Sequence, residues 1–137
     1  MPEPSQIQPI PGGVTGTPRL LLGLEGLAVF VAALVAYWAL GANWWVFVLL
    51  FLAPDLSFFG YLAGERTGAV LYNAVHTYVV PILLALVGHF IGNDLVLSLA
   101  VIWLAHIGAD RALGYGLKYP GGFSQTHLGP IGKARKG

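Results

Sequence analysis

Four long apolar stretches follow one another along the chain and occupy most of its length. They cover residues 20–40, 44–63, 68–91 and 95–117. Each is close to the roughly 20 residues that an α-helix needs to cross a bilayer. The connections between them are so short that successive helices must run antiparallel and side by side. The sequence therefore predicts an all-α fold, an integral membrane four-helix bundle of antiparallel up-down topology.

The composition supports a membrane location. Of the 137 residues, 56% are hydrophobic and 9% are charged, and the mean hydropathy is +0.72. Soluble domains carry about 25% charged residues, so this chain has too little polar surface to cover a water-soluble globule. A net charge of +1 is too small to indicate a nucleic-acid partner. The expected partners are membrane lipids.

Outside the spans, the composition changes at both ends of the chain. Residues 1–18 are rich in Pro and Gly and lack an apolar core, which predicts a disordered tail. Residues 120–137 form a polar C-terminal tail. Between them, residues 19–119 make up one four-helix domain.

The placement of Lys and Arg predicts the orientation. These residues lie in the two tails and in the second connection: Arg19, Arg66, Lys118, Lys133, Arg135 and Lys136. The other two connections, residues 41–43 and 92–94, hold neither Lys nor Arg. Both termini are therefore expected in the cytoplasm, and so compact a chain is typical of a prokaryotic inner (plasma) membrane protein.

Aromatic side chains near the ends of the spans are expected to lie at the membrane surface. Trp38, Trp44 and Trp45 cluster at the end opposite the cytoplasm and predict an interfacial belt. Tyrosines such as Tyr72 and Tyr78 are interpreted as anchors of the same kind. Pro54 and Pro81 fall inside the second and third spans and predict a kink or an unwound turn in each.

Polar residues inside the spans occur at similar depths, measured from the cytoplasmic end at 1.5 Å per residue. Glu25, Asn73 and Asp110 come out at roughly 8–11 Å, and Asp55, His76 and His106 at roughly 12–17 Å. Helical spacing puts Asn73 on one face with His76, and His106 on one face with Asp110. An ionisable group at bilayer depth costs roughly 2.5–3.5 kcal/mol, so we expect all four helices to direct these groups into one pocket.

Two histidines and two or three carboxylates are a usual ligand set for zinc, manganese or iron. We predict Asp55, His76, His106 and Asp110 as metal ligands, with Glu25 as a further ligand or as the catalytic general base. Water activated by the cation would then be the nucleophile of a hydrolase.

The cytoplasmic end of the bundle carries candidates for substrate binding. Arg111 and Lys118 are suited to hold a phosphate or carboxylate on a lipid-like substrate. His127 is interpreted as a solvated tail residue, with a fold-back onto the site as the alternative.

Two other functions stay open at this point. A proton- or ion-coupled transporter or channel subunit would use Asp55, His76 and His106 as a relay, and so short a chain would then need to form a homodimer. A purely structural bundle would use the same residues as interhelical hydrogen bonds, with Arg111 paired to Asp55 and Asp110.

Three segments of the sequence carry a resemblance to a known family. PDLSFFGYLAG, YNAVHTY and HIGADRALGYGLKYPGGFSQTHLG resemble the small four-helix membrane family described as domain of unknown function 4260. The resemblance extends over roughly residues 19–132 and is most specific in the C-terminal block. It implies a four-helix fold and a membrane location but no particular activity. The same residues are loosely similar in type to membrane-bound metal-dependent hydrolases, which is an analogy only.

Overall fold

The computed structural model describes residues 13–119 and 126–128, and its spans are mainly helical. The α-helices are α1 (Gly16–Leu40), α2 (Trp44–Leu50), α3 (Glu65–His76), α4 (Val79–Phe90) and α5 (Asp94–Leu113), and a 3₁₀ helix (Ala53–Ala63) lies between α2 and α3. Most of the two predicted tails, residues 1–12, 120–125 and 129–137, lies outside the described residues.

The prediction of four apolar spans is confirmed. The segments long and apolar enough to cross a membrane are Gly16–Leu40, Trp44–Ala63, Glu65–Phe90 and Asp94–Leu113. Their outward surface consists largely of exposed aliphatic and aromatic side chains, as expected for helices that face lipid. These features indicate an integral membrane protein with an all-helical fold.

The second and third spans are each broken in the middle, near the predicted prolines. In the second span, α2 ends at Leu50 and the chain continues as a 3₁₀ helix with Pro54 in its first turn. In the third span, α3 ends at His76, and Thr77 has an extended backbone with φ −91° and ψ 146°. Because the ring of Pro81 would clash with the carbonyl of residue 77 in a continuous helix, α4 starts anew at Val79.

The first and last spans pack closely because glycines face each other. A Cβ atom on Gly26 would lie 2.9 Å from the Gly108 carbonyl oxygen, and one on Gly108 would lie 2.7 Å from the Gly26 carbonyl oxygen. Small residues of this kind allow helix backbones to approach within a membrane. The contact fixes α5, which carries half of the polar site described below, against α1.

A small aromatic core lies where α1, α2 and α5 meet. Tyr37 is fully buried there, its ring centroid is 5.1 Å from that of Phe47, and its hydroxyl donates a hydrogen bond of 2.6 Å to the Asn43 carbonyl. The predicted belt residues Trp38, Trp44 and Trp45 lie near this end and are exposed.

Candidate metal centre

Four ionisable side chains from three spans converge at one point. Asp55 comes from the 3₁₀ helix, His76 is the last residue of α3, and His106 and Asp110 lie one turn apart on α5. One potential ligand atom from each residue lies within 4.8 Å of the other three. The predicted four-residue group is thus brought together, although its members come from segments up to 55 positions apart in the sequence.

Five of the six distances between these four atoms lie between 3.2 and 3.6 Å. His76 Nε2 lies 3.2 Å from His106 Nε2, 3.3 Å from Asp55 Oδ1 and 3.6 Å from Asp110 Oδ2. His106 Nε2 lies 3.2 Å from the same two carboxylate oxygens. A cation bound tetrahedrally at about 2.0–2.2 Å has ligand-to-ligand distances of about 3.3–3.6 Å. The five separations agree with that spacing within a tenth of an ångström.

Both histidines are held in the tautomer that metal binding requires. The Nδ1–H of His76 donates to the Tyr72 carbonyl at 2.9 Å, and the Nδ1–H of His106 donates to the Phe51 carbonyl at 2.6 Å. In a neutral imidazole the Nε2 atom then carries a lone pair. Two such lone pairs and two carboxylate oxygens face one another, which is repulsive unless a cation or shared protons lie between them.

The helix breaks supply the carbonyl groups that orient the site. At the first break, Asp55 N–H donates to the Leu52 carbonyl in 3₁₀ fashion, which leaves the Phe51 carbonyl available to His106. At the second break, the Val75 and His76 carbonyls have no helical partner, and α5 provides one for each. Trp103 Nε1 donates to the Val75 carbonyl at 2.6 Å, and Arg111 Nη2 donates to the His76 carbonyl at 3.1 Å.

Tyr72 is part of the site, and its interpretation as a membrane-surface anchor was wrong. Its side chain is buried, and its ring stacks on the His76 imidazole with 3.7 Å between centroids and 8° between planes. Phe58 stacks on Tyr72 at 5.1 Å. Since Tyr72 lies one helical turn before His76, the i, i+4 spacing was the signal in the sequence that could have indicated this stack.

Lys118 lies close to the cluster, beside Tyr72. The side chain is buried, with Nζ 4.9 Å from the centroid of the Tyr72 ring, a cation–π geometry. Burial lowers the pKa of Lys118 to about 8, an effect that the charges of Asp110 and Asp55 partly oppose. Its backbone forms a paired contact with Asn73: Lys118 N–H donates to Asn73 Oδ1 at 2.6 Å, and Asn73 Nδ2 donates to the Lys118 carbonyl at 2.7 Å.

His127 folds back onto the bundle, so the interpretation as a solvated tail residue was wrong. Arg111 Nη1 lies 2.7 Å from His127 Nε2, and Leu117 N–H donates to His127 Nδ1 at 2.9 Å. Both ring nitrogens face donors, which disfavours protonation. Burial, followed by the charge of Arg111, lowers the pKa of His127 to about 4. His127 therefore contacts Arg111 and is not among the four clustered ligand groups.

The remaining predicted site residues lie outside the cluster. Glu25 is exposed on α1, so the described part of the first span adds no ligand to the four-residue group. The role of Glu25 as a base stays a prediction. Arg111 is half-buried, and two of its nitrogens contact His76 and His127, which gives it a structural task beside its predicted part in substrate binding.

The cluster is open mainly at Asp55. The side chains of His76 and His106 are 3% and 2% exposed, whereas those of Asp110 and Asp55 are 18% and 34% exposed. The C-terminal segment, defined as residues 114–119 with residues 126–128, packs beside Asn73 and Arg111. A ligand therefore reaches the site most readily past Asp55.

The sequence matches one protein family over almost its entire length. The model of the family described as a domain of unknown function, DUF4260, matches residues 19–131. The chain belongs to this family. The matched region contains the second, third and fourth spans, all but the first turn of the first span, and the whole Asp/His cluster, so the resemblance predicted from the three sequence segments is confirmed. Neither the curated proteins nor the solved structures gave a match.

Proposed function

We propose that the protein is a metal-dependent hydrolase of the membrane, acting on a lipid-like substrate. Asp55, His76, His106 and Asp110 would hold one divalent cation, with zinc, manganese and iron as the candidates. A bound cation supplies Lewis acidity and lowers the pKa of water. Hydrolysis then adds the oxygen of water to an acyl or phosphoryl centre, and the departing alcohol takes up a proton.

The observation that carries this proposal is the fixed tautomer of both histidines. Backbone carbonyls that accept from Nδ1–H are the usual second layer of a metal site, and they set which nitrogen faces the ion. A bundle that used these residues only as interhelical hydrogen bonds would direct donors at acceptors. Here the Nε2 atoms of two histidines and two carboxylate oxygens face the same point, and when both rings are neutral none of these four atoms is a donor.

Catalysis needs an open coordination position in addition to the protein ligands. Manganese and iron accept more than four ligands, and zinc can expand to five. The exposed side of Asp55 is the natural direction for that position. Glu25, although exposed on α1, remains the proposed general base, and Lys118 and Arg111 remain the proposed groups that bind an anionic part of the substrate.

The arrangement in the membrane is part of the proposal. An antiparallel up-down bundle with both termini in the cytoplasm would put the four-residue group in the cytoplasmic half of the bilayer, in a prokaryotic inner membrane. Labelling of single cysteines introduced into this cysteine-free chain, at position 42 and at position 66, tests the orientation directly.

A second candidate is a proton relay. His76 Nε2 and His106 Nε2 are 3.2 Å apart, a distance at which one shared proton would also relieve the repulsion between lone pairs. A relay would belong to a transporter or channel subunit, which at this chain length we expect to work as a homodimer. Retention of a metal ion by a monomer favours the hydrolase over this candidate.

The hydrolase is tested with purified protein loaded with zinc, manganese or iron and supplied with long-chain carboxylic and phosphoric esters in mixed micelles. We expect ester cleavage by the parent chain, loss of at least about a hundredfold in His76→Ala and Asp110→Asn, and parental turnover in His89→Ala. His89 is a matched control because it is exposed on α4 outside the cluster. Cleavage that survives in His76→Ala would contradict the proposal.

A further inference from the structure

An apolar groove lies beside the Asp/His cluster, between the second, third and fourth spans. Its volume is about 350 Å³, within the range of about 300–1,000 Å³ typical of ligand sites. The residues that line it are Leu50, Ala53, Pro54, Val75, Leu99, Ile102 and Trp103. The indole of Trp103 is fixed by its hydrogen bond to the Val75 carbonyl, so one wall of the groove is rigid.

The groove is continuous with the cluster along the chain. Pro54 directly precedes Asp55, Val75 directly precedes His76, and Trp103 lies one turn before His106 on the same helix. A molecule in the groove therefore lies against the backbone that carries three of the four ligand groups. The groove opens at Leu50 and Ala53, which are exposed.

The surface around the opening is apolar. Leu52, Leu56, Phe59 and Leu62 are 63%, 64%, 67% and 86% exposed on the same span, as expected for side chains in contact with hydrocarbon. Asp55, the most exposed of the four ligand groups, lies on this span between Leu52 and Leu56. Access past Asp55 thus comes from a surface of apolar side chains.

The charges at the cluster favour an anionic head group. The two carboxylates of Asp55 and Asp110, which must be ionised to bind a metal, are balanced by the two cations Lys118 and Arg111. A divalent ion among the four ligands leaves this region with a net charge of +2. A phosphate ester supplies the complementary charge, and its oxygens suit both the ion and the guanidinium or ammonium groups.

We infer that the groove holds the hydrocarbon chain of a phosphate-bearing membrane lipid, which enters laterally from the bilayer with its phosphate at the Asp/His cluster. The assignment of the phosphate to that position rests on the proposed function, whereas the chain-binding role of the groove does not. The inference narrows the substrate class to single- or double-chain phospholipids and lipid phosphates.

The experiment measures the affinity of zinc-treated protein for inorganic phosphate and for ethyl, octyl and dodecyl phosphate. Each buried methylene strengthens binding about fourfold, and part of this is lost to competition by detergent. We expect dodecyl phosphate to bind the parent chain at least about tenfold tighter than ethyl phosphate. Ala53→Phe fills the groove without altering a ligand, and it should abolish this dependence on chain length while leaving the affinity for inorganic phosphate unchanged.

Matched controls separate groove filling from general damage. Ala36 lines a second apolar groove of about 380 Å³ among α1, α4 and α5, so Ala36→Phe should keep the parental dependence on chain length. Leu50→Trp, at the groove opening, should reproduce the effect of Ala53→Phe. Equal binding of dodecyl phosphate by the parent, Ala53→Phe and Leu50→Trp would overturn the inference.

Failure of the two proposals can be told apart. If the protein retains no metal but still binds dodecyl phosphate in a way that Ala53→Phe abolishes, the hydrolase fails and the groove stands. If metal and inorganic phosphate bind while chain length has no effect in any variant, the site accepts free phosphate. The groove inference is then wrong.

Discussion

His76 Nε2 and His106 Nε2 lie 3.2 Å apart in the middle of the bundle, and the Nδ1 atom of each ring is bonded to a backbone carbonyl. The two rings approach from different spans and are inclined by 63°. The hydrogen bond at Nδ1 fixes the orientation of each ring, and in both cases the accepting carbonyl lies at the end of a helix. The site is therefore built by the breaks in the helices as much as by the four side chains.

The first prediction concerns the break in the second span. Pro54→Ala restores a backbone N–H and allows a regular helix, in which Asp55 N–H would take the Phe51 carbonyl away from His106. We expect metal affinity to fall about 10- to 100-fold, as for the loss of other second-layer contacts. Competition with a fluorescent zinc chelator measures this. Val48→Ala, a substitution of an exposed residue on α2, is the control and should keep the parental affinity.

The second prediction distinguishes two possible roles of Glu25, metal ligand and general base. Glu25 is exposed and lies outside the four-residue group, so Glu25→Gln should leave metal stoichiometry unchanged, whereas Asp55→Asn should lower it. If Glu25 acts as general base, Glu25→Gln also lowers kcat with little change in KM. Metal loss in Glu25→Gln would show that the first span does contribute a ligand.

The third prediction concerns Arg111, which holds two backbone segments together. Arg111→Ala removes the hydrogen bond to the His76 carbonyl and the contact with His127. A hydrogen bond from a charged group contributes about 1.5–3 kcal/mol, so we expect the free energy of unfolding in detergent to fall by about 1.5–3 kcal/mol. Arg111→Lys retains one donor and should recover part of this loss. An unchanged free energy of unfolding in Arg111→Ala would contradict the structural role of Arg111, and substrate binding would be its one remaining proposed role.

The fourth prediction is a pH dependence of the C-terminal segment. The pKa of His127 is about 4 in the folded chain and 6.5 when exposed, so the undocked segment binds more protons between these values. Docking is therefore unaffected by pH above about 6.5 and weakens as the pH falls towards about 4. The protection factors of residues 115–119 in hydrogen exchange, which are corrected for the pH dependence of the intrinsic exchange rate, should fall as the pH is lowered from about 6.5 to about 5. His127→Gln cannot titrate and should remove this fall in protection; persistence of the effect would assign it to another group.

The sequence contained enough to predict the spans and the membership of the Asp/His group. Apolar runs reveal helices that face lipid, and ionisable residues at similar depth indicate a shared interior site because isolated ones are so unfavourable there. Pro54 and Pro81 likewise indicated where the helices break. Apolar runs and prolines are recognised from neighbouring residues in the sequence, and the depth of an ionisable residue depends only on its distance from a helix end.

Contacts that depend on the rotation of each helix could not be predicted in the same way. Glu25 has the right depth but is exposed on α1, and depth alone does not say on which face of a helix a residue lies. The return of His127 to Arg111 depends on the path of the chain after Gly114, where a positive φ of 94° ends α5. The stack of Tyr72 on His76 depends on the ring orientation that the Nδ1 hydrogen bond imposes.

The most direct test of this account is the metal content of the purified protein, measured by mass spectrometry after growth in medium containing zinc, manganese and iron. The parent chain and His89→Ala should retain close to one divalent ion per chain, and His76→Ala and the double variant His106→Ala, Asp110→Ala should retain almost none. A parent chain that retains no ion, even after reconstitution with each metal, would contradict the metal site, and the four side chains would then share protons instead.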